Sequence, residues 1–221
     1  MEHILKIISV EVVTHDVKCF RLEKPEQFVF IPGQATDLSI NQPGWEAQTR
    51  PFTFTGLNTD PYLEFTIKRY DDHHGVTSKL HELNMGDELI VRDVWGAISY
   101  KGPGYFIAGG AGITPFIAIF RELYRGGQIK GNQLFFSNKT EADIIYETEL
   151  RRILDNDLKL ILTNETRSGY IQGYLDEAFI HENIADRSMH VYVCGPDKMI
   201  TDIRDILEKA GIDSDSVVFE N

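Results

Sequence analysis

Tyr105–Phe116 reads YFIAGGAGITPF, and its reading decides the fold. Tyr105 to Ala108 have strand character. Gly109-Gly110-Ala111-Gly112 form a tight turn, and Ile113-Thr114-Pro115-Phe116 open a helix, with Thr114 as the expected N-cap and Pro115 at the first helical position. Glycines let backbone N–H groups come close to an anion, and a helix start adds partial positive charge. The pattern suits a dinucleotide's phosphates, although a plain strand-to-helix connection would use the same residues.

Outward from this stretch, the 221 residues suffice for one large or two small domains. The composition, 42% hydrophobic and 25% charged, is that of a globular chain. The net charge of −12 argues against nucleic acid and anionic membrane surfaces as partners. Apolar runs are too short for a membrane span, and the first residues, MEHILKIISVEVV, lack a signal-peptide pattern, so a cytoplasmic location is expected. Two cysteines, Cys19 and Cys194, make no disulfide framework, zinc set or iron–sulfur set.

Residues before Lys101-Gly102-Pro103-Gly104 read as short strands: Ile4–Val13, Val17–Leu22, Phe28–Ile31, Ala35–Ile40, Arg50–Gly56, Leu63–Tyr70 and Glu88–Val91. Thr77–Asn84 is the one helical stretch there, with Val76, Leu80 and Leu83 on one face. Such spacing predicts an antiparallel barrel or sandwich. After that boundary, strands at 105–108, 133–137, 158–163, 190–194 and 217–219 alternate with helices at 115–124, 146–154, 173–180 and 197–210, which predicts a parallel, doubly wound α/β domain.

Three motifs, in this order and at these separations, resemble the ferredoxin–NADP reductase superfamily over essentially the whole chain. They are Arg50-Pro51-Phe52-Thr53, Gly109-Gly110-Ala111-Gly112-Ile113-Thr114-Pro115 and Cys194-Gly195-Pro196-Asp197-Lys198-Met199. The resemblance implies a FAD-binding Greek-key β-barrel over residues 1–101 and an NAD(P)-binding α/β domain over 102–221. Arg50 would pair with a flavin phosphate, Phe52 would lie against the flavin, and Thr53 would hydrogen-bond near its reactive N5. Phenylalanine at position 52, where the family more often has tyrosine, lacks a hydroxyl. Gly75-Val76-Thr77-Ser78 resembles the family's turn under the pyrophosphate, and Ile67-Lys68 its flavin-lining strand; two phosphate-binding elements favour FAD over FMN.

In the second half, Gly110, Gly112, Thr114 and Pro115 would hold the nicotinamide cofactor, with Cys194, Gly195, Pro196 and Met199 beside it at the same sheet edge. Ser137-Asn138-Lys139-Thr140-Glu141-Ala142-Asp143-Ile144 is similar to a stretch of NADH-using, cytochrome b5 reductase-like relatives; Ser137 and Lys139 could instead hold the 2′-phosphate of NADPH, and the balance leans to NADH. The last strand would bring Phe219 as a shield and Glu220 as a proton relay. Asp71-Asp72-His73-His74 reads as a solvated loop rather than a metal site, and His15 and His81 have no evident partner. The implied activity is hydride transfer from NAD(P)H to FAD, then electron transfer to a separate ferredoxin, flavodoxin or oxygenase-type acceptor. The alternative is a flavin-binding electron-transfer or regulatory subunit with little turnover alone.

Overall fold

The computed structural model describes residues 2–70, 75–96 and 98–219. By its contacts the chain divides into two compact units, Met1–Ser99 with Thr114–Ile119, and Tyr100–Ile113 with Phe120–Asn221.

The first unit holds β1 (His3–Thr14), β2 (Val17–Glu23), β3 (Ala35–Ile40), β4 (Arg50–Thr53), β5 (Tyr62–Lys68), the short helix α1 (Val76–Leu80) and β6 (Glu88–Trp95). All pairings are antiparallel, in the order β4-β3-β6-β1-β2-β5. The two ends of this order meet. Phe54 N–H still donates to Gln34 on the β3 side, whereas Thr55 N–H donates at 2.9 Å to the Glu64 carbonyl of β5. The expected strand Arg50–Gly56 is therefore shorter, because the chain changes partner where the barrel closes. Leu63, Phe65 and Ile67 alternate into a core with Phe20, Leu22, Leu38 and Phe54, while Val76, Leu80 and Leu83 cover it with one face, as the sequence predicts.

Phe28–Ile31 is not a strand. It alternates like one, with Phe28 and Phe30 buried and Val29 and Ile31 about 70% exposed, and the Phe30 ring stacks 4.2 Å from that of Phe54. It has no ladder, because the Asn58 side chain takes the place of a partner strand. Its Oδ1 accepts from Phe30 N–H at 3.1 Å and its Nδ2 donates to the Phe30 carbonyl.

The second unit holds β7 (Gly104–Gly109), β8 (Gln133–Asn138), α3 (Glu147–Leu154), β9 (Leu158–Leu162), β10 (Ile171–Gln172), α4 (Glu177–Asn183), β11 (His190–Cys194), α5 (Asp197–Lys209) and β12 (Val217–Phe219); helix α2 (Thr114–Arg125) follows β7. Every pairing is parallel, in the order β10-β9-β8-β7-β11-β12. The chain steps outward from β7 to β10, then returns to place β11 on the other side of β7. Ligands of open α/β sheets bind where the strand order reverses in this way. The helix expected at 173–180 begins later, at Glu177, where Asp176 caps it by accepting from Phe179 N–H at 2.8 Å. The residues before it supply β10, which the sequence reading missed.

Candidate functional site

In the first unit, β4 presents Arg50-Pro51-Phe52-Thr53 at one end of the sheet order, paired with β3 so that Pro51 lies opposite Asp37. Proline donates no ladder bond, so it suits this position. Arg50 and Pro51 are exposed. Among the described residues, the Arg50 guanidinium donates to the adjacent Thr49 carbonyl at 2.7 Å, an arrangement that leaves most of its donors facing solvent. Phe52 is half-buried and packs on the barrel core. Thr53 is 5% exposed, and its hydroxyl donates at 2.9 Å to that of Thr114, within the same unit. Two residues from separate sequence motifs thus come together. Thr114 is the first residue of α2 rather than its N-cap; Ile113 occupies the cap position, because a 3-10 turn over Gly110–Ile113 already starts the helical winding.

Gly75 is extended, and a Cβ built there meets nothing within 4 Å. That open position fits a nearby anion. The hydroxyls behind it are engaged with the backbone of Tyr70: Thr77 Oγ1 accepts from Tyr70 N–H at 3.3 Å and Ser78 Oγ donates to the Tyr70 carbonyl at 2.8 Å. They therefore tie α1 to the end of β5. Ile67 is buried, and Lys68 pairs with Asp16 at 2.9 Å. Burial pushes the Asp16 carboxyl up, but hydrogen bonding and charge from Lys68 hold it below the usual carboxylate range. His81, read as partnerless, is 8% exposed and its Nε2–H donates to the Ile67 carbonyl at 2.8 Å, while Lys18 Nζ donates to the His81 carbonyl at 2.7 Å. The sequence carried no signal for this pairing, since the partner is a main-chain atom fourteen residues away. Asp71–His74 lie outside the described residues.

In the second unit, the turns after β7 and β11 flank the reversal of strand order, with Ala108 in register with Cys194. They are packed backbone to backbone. A Cβ on Gly112 would lie 2.4 Å from the Cys194 carbonyl oxygen, and one on Gly195 would lie 2.5 Å from the Met199 methyl. Gly110 differs: it has φ +52°, a conformation that favours glycine, and a Cβ there would meet nothing within 4 Å. The tightly packed glycines fix the loop, and Gly110 lines its open side, so the turn fits a phosphate group approaching its backbone. Pro196, extended and exposed, precedes α5. Cys194 is 2% exposed, which suits a packing thiol and not a nucleophile.

At the end of β8, Ser137 is half-buried and Lys139 exposed. Thr140 and Asp143 form a capping box, with the Thr140 N–H and hydroxyl donating to the Asp143 carboxylate at 2.8 and 2.6 Å. Phe219, opposite Val193 on β11, packs on the core of this unit with the Arg204 guanidinium 4.5 Å from its ring centroid. Glu220 lies outside the described residues.

Residues 4–100 match the oxidoreductase FAD-binding domain family and residues 106–205 the oxidoreductase NAD-binding domain family. The chain belongs to the ferredoxin–NADP reductase superfamily. Within that superfamily it is 30% identical over 228 residues to the glycine betaine monooxygenase reductase subunit of Chromohalobacter salexigens, covering 96% of this chain and 61% of the relative. It is 26% identical over 234 residues to the propane 2-monooxygenase reductase component of Mycolicibacterium goodii, covering 98% and 66%. The chain thus spans three-fifths to two-thirds of these curated relatives' length. The ferredoxin NADP+ reductase of Neisseria gonorrhoeae, solved with FAD and NADP bound, shares its fold with a TM-score of 0.84 at 17% identity, over 95% of this chain and 92% of that one. No helix among the described residues is long and apolar enough to cross a membrane.

Proposed function

We propose that the chain is a FAD-dependent NAD(P)H oxidoreductase that passes electrons to a separate redox protein, with residues 1–101 serving the flavin and 102–221 the nicotinamide cofactor. The observation that carries this reading is the pair of interlocked glycine turns at the strand-order reversal, Gly109–Gly112 against Cys194–Gly195, in a chain whose other half presents an exposed Arg50 beside Thr53. When bound, the flavin and nicotinamide supply the redox chemistry between them and onward to the acceptor. The protein's part is binding and placement. Arg50 would neutralise a flavin phosphate as a bidentate donor, and Gly75 would leave room for that phosphate. Phe52 would bound the ring's plane, and Thr53, already paired with Thr114, would offer a hydroxyl to it. Gly110 and Gly112 would bring N–H groups to the coenzyme pyrophosphate, and the buried Cys194 would shape the pocket wall. Because the relatives named above are reductase components of monooxygenases, an oxygenase component is the acceptor class this reading favours.

The test is anaerobic mixing of the purified protein with NADH or NADPH while the visible flavin absorbance is followed. Rapid bleaching is expected; a bound flavin reduced by neither nucleotide would instead make the chain a flavin-carrying subunit. Arg50→Ala should lose flavin with the far-ultraviolet circular dichroism unchanged. Full flavin occupancy in that variant would remove Arg50 from the site.

A further inference from the structure

Beyond the carboxyl ends of β8 and β9, two loops are locked together. Thr163 N–H donates to the Asn138 carbonyl and Asn164 N–H to that of Lys139, both at 2.9 Å. Glu165 accepts from Glu141 N–H at 2.9 Å. From the second of these loops Arg167 reaches the first: its Nη1 lies 2.6 Å from Glu141 and 3.5 Å from Glu165. The Tyr170 hydroxyl lies 2.9 Å from Glu141 and 2.8 Å from Glu147 and has one proton to donate between them. Burial, and then these two carboxylates, push the tyrosine's pKa up to about 12, so it stays a neutral donor.

A dinucleotide whose pyrophosphate rests on the turn after β7 lays its adenosine ribose across the end of the next strand. Here that strand is β8. At such an edge an acidic side chain accepts hydrogen bonds from a free ribose diol, whereas a 2′-phosphate calls for an unengaged cationic donor such as an arginine fork. Arg167 is the one arginine in these two loops, and two carboxylates already hold it. Lys139 alone is left in solvent.

We propose that Glu141 and Glu165, by holding Arg167 between them and keeping this edge anionic, select the coenzyme that lacks a 2′-phosphate. The inference rests on the reading of this edge as the coenzyme site and adds the residues that set its preference. Replacing both carboxylates by amides removes the repulsion and frees the guanidinium without changing side-chain volume.

The experiment is calorimetric titration of the purified full chain with 5′-ADP and with 2′,5′-ADP, fragments that differ in the phosphate alone and need no redox turnover. The native protein is expected to bind 5′-ADP roughly tenfold or more tightly than 2′,5′-ADP. In the Glu141→Gln, Glu165→Gln double variant the affinity ratio should shift towards 2′,5′-ADP by at least about tenfold. Adding Arg167→Ala to that variant should reduce the shift, leaving the part that comes from the lost repulsion. The NADH-to-NADPH ratio of flavin reduction rates should move in the same direction. A native preference for 2′,5′-ADP, or a ratio untouched by the double substitution, would overturn the role of the two glutamates while leaving the coenzyme site in place. Binding of neither fragment would overturn the site itself, and the inference with it.

Discussion

His81 shows how much one buried side chain carries at the scale of a residue. Its imidazole bridges α1 to the main chain of β5, with Phe20 edge-on to the ring at 6.1 Å between centroids. Burial holds its pKa below the ordinary 6.5, with the Lys18 and Arg69 charges acting the same way, against the Ile67 carbonyl and Asp16. The unfolded chain therefore binds this proton more readily than the folded one. Stability is full above pH 6.5 and falls as pH drops from 6.5 through the folded value. Urea midpoints measured across that window should decline on acidification. His81→Gln, which keeps an N–H for the Ile67 carbonyl but does not titrate, should flatten the decline; an unchanged slope would exclude His81 as its source. Nothing in the spacing of the sequence announces this contact. Arg50, Thr53, Gly110 and Cys194, by contrast, stand out in the sequence as candidates, because each sits in a short motif whose chemistry is local.

Among elements, the segment around Phe30 separates pattern from pairing. Its alternation is that of a strand, and the hydrophobic core accepts it as one, yet its hydrogen bonds go to a single amide side chain. Periodicity reports which face is buried; it does not report who supplies the ladder. Asn58→Ala should leave the N–H and carbonyl of Phe30, itself 4% exposed, without partners. A loss of about 1–3 kcal/mol in urea unfolding is expected. A change within experimental error would mean that water replaces the amide without cost. The same limit explains β10: two residues are too few for a periodic signal, and the loop before α4 reads equally well as a helix start until Asp176 is recognised as the cap.

For the whole molecule, the order of elements was legible because its two halves differ in rhythm: short strands with turns, then strands alternating with amphipathic helices. The closing of the barrel and the interlocking of Gly112 with Cys194 were not: the first turns on a change of hydrogen-bond partner between Phe54 and Thr55, which no residue pattern marks, and the second joins backbone atoms far apart in the chain. Under the proposed function, the net charge of −12 has its own consequence for encounter with acceptors. Like charges repel over roughly 10 Å at moderate salt, and added salt screens them. Reduction of a small anionic acceptor should therefore speed up with ionic strength, and that of a cationic metal complex should slow down. Equal slopes for both would show that a local patch, and not the total charge, governs the encounter.

The meeting of β4 with β5 in the first unit has a bearing on behaviour at high concentration. Sheets grow into aggregates by adding strangers to an unpaired margin, and a long, flat, apolar margin invites this most. Bonding from Thr55 to Glu64 brings the two margins of the barrel onto each other, and the parallel sheet ends on one side in a strand of two residues. Neither offers the extended template that runaway stacking requires.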